Sequence, residues 1–204
     1  MKYKDKRIIG ITGGIGSGKT KILDIIKSKY DILCIEADKI GHEIQKPGEE
    51  AYNRIVKEFG KHILEEPYVV GKSYIDRKKL GNLVFSDEEQ LRHLNEIAHP
   101  IIHDIIDQII RNSTKQYIFI EAAILTETSL INLTDEVWYI YADKTVRLNR
   151  LEQYRQITRE KAKLIMESQP DEEYFRSKCN VIIDNSGSTD DTLKQIKNIL
   201  DKRF

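Results

Sequence analysis

Gly13-Gly-Ile-Gly-Ser-Gly-Lys-Thr20 combines glycines, a lysine and a hydroxyl at the spacing G-x-x-x-x-G-K-[ST], which suits a phosphate cradle. Gly13, Gly16 and Gly18 allow the backbone to turn its N–H groups inward and approach phosphate oxygens without an intervening Cβ. Gly14, Ile15 and Ser17 complete the loop. Lys19 can neutralise charge on β and γ phosphates, and Thr20 can offer its hydroxyl to Mg²⁺. A helix expected to begin near Lys19 adds the positive end of its dipole. A glycine-rich turn with a chance Lys-Thr is the alternative. The strand pattern before the loop and the helix pattern after it favour nucleoside triphosphate binding, with ATP and Mg²⁺ as the expected ligands.

Two further groups of residues carry chemistry. Glu36-Ala-Asp38 follows an apolar run, so its carboxylates are expected at the C-terminal edge of a sheet, where open α/β sheets bind ligands. A carboxylate there can accept a hydroxyl proton or help hold Mg²⁺. Asp38 could equally be the N-cap of a helix at Ile40 to Gln45. Asp38-Lys-Ile-Gly41 also matches the D-x-x-G of GTPases, but no N-K-x-D guanine-reading segment follows. Downstream lies an arginine-rich block with Arg147, Arg150, Arg155 and Arg159.

The elements that must position these groups alternate between apolar strands and helical stretches. Arg7–Thr12, Asp31–Glu36, Tyr117–Glu121, Glu136–Tyr141 and Asn180–Asp184 read as five strands of a parallel sheet covered on both faces. Ile22, Leu23, Ile25 and Ile26 give the helix after the glycine loop its apolar face. Between the second and third strands, Ser86 with Glu89 suggests a capping box. Pro100 suggests the first position of a further helix, with Ile101, Ile102, Ile105, Ile106, Ile109 and Ile110 as its core stripe. The arginine block is expected to be helical from Lys144 to Met166, broken near Gln156 and capped again at Thr158. Thr189 to Phe204 reads as a closing amphipathic helix.

The chain has 204 residues, 40% of them hydrophobic and 32% charged, enough for a sizeable core beneath a charged surface. Lys plus Arg and Asp plus Glu are each 33, so the formal net charge is zero. That balance speaks against a nucleic-acid partner. The opening run Lys2, Lys4, Lys6, Arg7 is interrupted by Asp5 and reads as a solvated lead-in. No stretch approaches a membrane span and no signal-peptide pattern opens the chain. Cys34 and Cys179 read as reduced, buried thiols of a cytoplasmic protein.

With these residues in view, the chain resembles the dephospho-CoA kinase family. Ile9 to Thr20 is similar to the family's opening strand and glycine loop, and Ile35-Glu-Ala-Asp-Lys-Ile-Gly-His42 to its I-D-A-D segment. Asp76-Arg-Lys-Lys-Leu-Gly-Asn-Leu-Val-Phe85, Leu94-Asn-Glu-Ile-Ala-His-Pro-Ile101 and Ile183-Asp-Asn-Ser-Gly187 resemble three later blocks, in family order. The resemblance implies an α/β, three-layer P-loop NTPase fold with about five parallel strands, a helical substrate subdomain and a short helical lid. It implies a single domain over 1–204: a core of 1–45, 113–143 and 178–204, a substrate-binding insert of 46–112 and a lid of 144–177.

The implied activity is ATP-dependent phosphorylation of the ribose 3′-hydroxyl of dephospho-CoA, the last step of coenzyme A biosynthesis. The alternatives are another nucleoside or nucleotide kinase, or a nucleotide-binding relative without transfer activity. The resemblance makes Asp38 the general base and places Arg77, His99 and Glu121 on the acceptor substrate. Asn185, Arg150 and Arg155 would join the loop in holding ATP, and Lys19 and Arg150 would be catalytic, Arg150 closing with Arg155 or Arg159 over the γ-phosphate. Arg77 could instead only pair with a surface carboxylate, and His99 only cap a helix at Pro100. A small-molecule substrate and a monomer or weak homo-oligomer complete the expectation.

Departures from the family pattern fall in three places. Glu36 is a longer acid than usual, and Glu121-Ala-Ala-Ile-Leu-Thr-Glu127 replaces D-x-P-L-L-x-E. In the lid, Q-x-x-R-x-x-x-R-D becomes Arg147-Leu-Asn-Arg150-Leu-Glu-Gln-Tyr154-Arg155, which shifts one arginine by a residue. Leu164 stands where a further arginine is common. A one-residue shift turns a helical side chain by about 100°, so either Arg155 or Arg159 compensates, the favoured reading, or the chain is a slow or altered member.

Overall fold

Ile8, Ile9 and Ile11 are wholly buried, which only a strand covered on both faces allows. In the computed structural model, which describes residues 3–67 and 69–201, they lie on β1 (Arg7–Thr12) at the middle of a five-stranded sheet. The order is β2-β3-β1-β4-β5, with β2 at Ile32–Glu36, β3 at Tyr117–Glu121, β4 at Glu136–Tyr141 and β5 at Val181–Asp184. The pairings β1–β3, β1–β4 and β4–β5 are parallel. Asp31 and Asn180, expected as strand residues, lie just outside β2 and β5.

The chain divides into two units, Met1–Ile35 with Ser113–Phe204, and Glu36–Asn112. In the first, α1 (Lys19–Lys29) contributes Ile22, Leu23 and Ile26 to the core, and α9 (Thr189–Leu200) contributes Ile196 and Leu200. Phe119 meets Trp138 edge-on at 5.6 Å. Trp138 donates its indole N–H to Glu136 Oε1 at 2.8 Å, which satisfies the one polar atom its burial would otherwise strand. The closing helix stops at Leu200. Asp201 is its C-cap, and residues 202–204 of the expected span, like Lys2 in the opening run, lie outside the described residues.

The arginine block forms α6 (Lys144–Arg155), α7 (Arg159–Glu167) and α8 (Glu172–Lys178). The break falls where expected: Gln156 takes a left-handed φ of 51°, and Thr158 caps α7 by accepting from Lys161 N. Cys34 and Cys179 are both half-buried, not buried; Cys34 packs at the edge of the sheet core and Cys179 follows the end of α8.

The second unit packs α2 (Ala37–Glu43), α3 (Glu50–Phe59), α4 (Arg77–Phe85) and α5 (Glu88–Asn112) around Tyr52, Ile55, Phe59, Ile63 and Leu80. Two expectations fail here. Ser86 does not cap α5, since its hydroxyl donates back to Asn82 O and Leu83 O. Asp87 does the capping, with Oδ1 accepting from Glu89 N at 2.9 Å and Gln90 N at 3.3 Å. Nor does a helix begin at Pro100, which lies inside the continuous α5. The proline lacks an N–H to donate to the preceding turn. Leu91, Leu94, Ile97, Ala98, Ile101, Ile102 and Ile105 nevertheless join one core at helical spacing on both sides of it. Burial along the whole stripe outweighs that local loss.

Candidate active site

The glycine loop leaves β1 at Thr12, whose hydroxyl donates to Ala123 O at 3.1 Å, and ends where α1 begins at Lys19. Gly18 has φ 94°, and a Cβ there would lie 2.4 Å from Asn185 Nδ2. Conformation and space thus both require glycine at this position. Helix α1 has no side-chain N-cap and no acid in its first turn. Among the described residues, the backbone N–H groups of Gly16, Gly18 and Thr20 make no hydrogen bond. Such a row of open amides, backed by a helix dipole, is what an anionic oxygen cluster would satisfy.

Three side chains of the loop are set for charged or polar work. Lys19 Nζ donates to Gly13 O at 2.6 Å and Gly14 O at 3.4 Å, which holds the ammonium over the loop. Thr20 is exposed and its hydroxyl is unpartnered among the described residues. Ser17 Oγ is buried with no hydrogen-bond partner among them, an orphan of the kind a bound ligand would resolve.

Arg150 and Asn185, expected at the nucleotide, are both brought to the loop, where they grip its backbone. Arg150 donates to Ser17 O at 3.2 Å and Asn185 O at 2.8 Å, while Asn185 Nδ2 donates to Ser17 O at 2.7 Å. Thr192 in turn donates to Asn185 Oδ1 at 3.1 Å. The other lid arginines differ in commitment. Arg159 is paired with Glu152 at 2.8 Å, whereas Arg155 is exposed and has no partner among the described residues. Tyr154 and Leu164, which stand where arginines were expected, are 79% and 67% exposed. Neither is committed to a core.

The acids divide by burial. Glu121 closes β3, is 8% exposed, and lies in register with Ile11 of β1. Glu36 closes β2 and is paired with Lys39 at 2.9 Å. Asp38 is exposed in the first turn of α2 and unpartnered among the described residues. The N-cap position belongs to Glu36, so the capping alternative for Asp38 falls. Helix α2 begins three residues before the expected Ile40 because Ala37 is drawn into the core.

In the helical unit Arg77 opens α4, exposed and without a carboxylate among the described residues, so the surface-pair alternative also falls. His99 lies within α5, half-buried, and caps nothing, because the helix runs through it. Burial pushes its imidazole below the ordinary histidine range.

Sequence reasoning named Arg147 in the arginine block without bringing it to the loop, and it missed Gln169. Arg147 Nε donates to Ile15 O at 2.8 Å, and Ile15 N donates to Gln169 Oε1 at 2.8 Å. The spacing of Arg147 three residues before Arg150 signals a shared helix face. No local pattern marks Gln169.

A family model described as dephospho-CoA kinase matches residues 7–191 of the chain. A dephospho-CoA kinase of Carboxydothermus hydrogenoformans is 36% identical over 198 residues, covering 96% of this chain and 93% of its own. Among solved structures, a protein of Thermus thermophilus superposes with a TM-score of 0.82 at 25% identity, covering 98% of each chain. The dephospho-CoA kinase of Campylobacter jejuni gives a TM-score of 0.67 at 30% identity, covering 97% of this chain and 96% of that one.

Proposed function

Since the chain belongs to the dephospho-CoA kinase family, we propose that its glycine loop, lid arginines and strand-end acids divide the work of one phosphoryl transfer between them. The reaction passes the γ-phosphoryl group of ATP to the ribose 3′-hydroxyl of dephospho-CoA, giving coenzyme A and ADP. The open amides of Gly16, Gly18 and Thr20, at the head of an uncapped helix, carry the assignment of the phosphate site. Lys19 adds charge to the β and γ phosphates once it exchanges the carbonyls of Gly13 and Gly14 for them.

The free hydroxyl of Thr20 suits Mg²⁺, which when bound neutralises charge shared between the β and γ phosphates. Among the described residues no group of three or more His, Cys, Asp or Glu forms a ready-made metal site, so the remaining ligands would be substrate and water oxygens.

Asp38 is the general base: its exposed, uncommitted carboxylate is free to orient the 3′-hydroxyl and take its proton. Glu121, Arg77 and His99 contact the acceptor, the latter two from the helical insert 46–112. Arg150 stiffens the loop while lending it charge, and Arg155 closes from the lid 144–177 onto the moving phosphoryl group. Arg159 is the weaker candidate because Glu152 already holds it.

We place the protein in the cytoplasm, as a monomer or weak homo-oligomer acting on a small molecule without nucleic acid. The balanced charge supports this reading, and no helix among the described residues is long and apolar enough to cross a membrane.

The test is incubation with ATP, Mg²⁺ and dephospho-CoA, with chromatographic detection of products. Equal amounts of coenzyme A and ADP are expected. ADP without coenzyme A would point to another acceptor, and ATP binding without any ADP would point to a relative that has lost transfer.

A further inference from the structure

Arg147 is a half-buried guanidinium with no carboxylate partner among the described residues. A cation removed from water without a counter-ion is costly, and structures tolerate one where an anion is due to arrive. The titratable groups that act on its charge are two phenols, Tyr139 and Tyr141. Burial pushes the Tyr139 phenol up, and the hydrogen bond to Asp143, its largest cause, pushes Tyr141 up to about 12. Both rings therefore stay protonated and supply no negative charge. Burial in turn draws the Arg147 guanidinium below its ordinary value.

The group is held in place from two sides. Arg147 Nε donates to Ile15 O at 2.8 Å and Nη2 donates to Gln169 Oε1 at 3.2 Å. The same Gln169 oxygen accepts from Ile15 N at 2.8 Å. Both backbone polar groups of Ile15 are thus used up by this pair. The guanidinium also lies against Gly14, where a Cβ would fall 2.2 Å from Nη2. Glycine at 14 is what lets a full positive charge come this close to the loop backbone. Arg147 stands on α6 and Gln169 lies between α7 and α8, so two separate parts of the arginine block grip Ile15.

We propose that Arg147, oriented by Gln169, is a fixed positive charge and positioning residue for the triphosphate, acting from behind the glycine loop. The proposal rests on the kinase reading of that loop. Arg147 raises the potential at the loop's open amides and holds Ile15 turned away from them. It favours the most highly charged ligand most, so its effect grows from ADP to ATP and shrinks with salt.

Gln169→Glu separates charge from tethering. A carboxylate at 169 can still accept from Ile15 N and from Arg147, so the tether is kept while the net charge of the pair falls to zero. The expected result is a Kd for ATP raised roughly tenfold, with a smaller rise for ADP. The KM for dephospho-CoA and the Tm should be unchanged or better, and the ATP difference should narrow as ionic strength rises. Arg147→Gln should weaken ATP in the same direction, and Arg147→Lys should recover part of the loss. Wild-type ATP affinity in Gln169→Glu would overturn the electrostatic role and leave Arg147 a structural tether. Wild-type protein that makes no coenzyme A would instead overturn the kinase reading itself, so the two failures are separable.

Discussion

Asp38 and His99 show how far a single residue's surroundings define its work. Asp38 is solvated and unpaired among the described residues, so its carboxylate is available to a hydroxyl without first breaking a bond. Asp38→Asn keeps the shape and removes the basicity, so kcat should fall by about 10²-fold or more while the Kd for ATP stays within about twofold. Equal kcat in the variant would take Asp38 out of the base role. His99 is held below the usual histidine range by burial, so its folded pKa lies under the unfolded value of about 6.5. The unfolded state then binds more protons, and the neutral imidazole's contribution is complete above about pH 6.5 and lost as pH falls through the folded pKa. His99→Gln should flatten the fall in Tm between about pH 7.5 and pH 5.5; parallel curves for the two proteins would assign that fall to other groups. The P-loop residues were legible because their chemistry is written within eight consecutive positions. Arg147 and Gln169 were not, since they meet Ile15 from 132 and 154 positions away.

Elements were legible where one signal dominated. β1, β3 and β4 have the expected ends because each is a near-continuous apolar run bounded by polar residues. Of the two local signals misread in the helical unit, the cap at Ser86 gave way to the neighbouring Asp87, and the start at Pro100 to burial along the stripe. That distinction can be measured. Asp87→Ala removes the oxygen that accepts from Glu89 N and Gln90 N, and should cost about 1 kcal/mol in urea unfolding. Ser86→Ala removes only bonds back to Asn82 O and Leu83 O, and should stay within about 0.5 kcal/mol. The reverse ranking would restore Ser86 as the cap. Proline at a helical position is a start signal only if the residues before it have nothing to bury. Here Leu94, Ile97 and Ala98 do, so the helix carries on through it.

For the whole molecule, the division into two units, each with its own core, allows the proposed ligands to be tested unit by unit. The five strands and the family were within reach of the sequence, because strand patterning and five ordered motifs speak to the entire chain at once, whereas the strand order was not. Which unit answers to which ligand is a matter of energetics that motifs do not carry. The proposed function puts ATP at the glycine loop of the first unit and has the acceptor read by Arg77 and His99 of the second, with Glu121. A ligand that binds only the folded state at about 100 times its Kd stabilises by about 2.7 kcal/mol. For a chain of this length that corresponds to a rise in Tm of roughly 5 to 10 °C. Lys19→Ala should abolish the rise produced by ATP with Mg²⁺ while keeping the one produced by dephospho-CoA. Arg77→Ala should do the opposite, since the exposed Arg77 has no structural partner to lose among the described residues. If either variant lost both responses, the ligands would share one set of residues and the division would fail. If Arg77→Ala kept its full response to dephospho-CoA, the acceptor would have to be read by His99 and Glu121 without it.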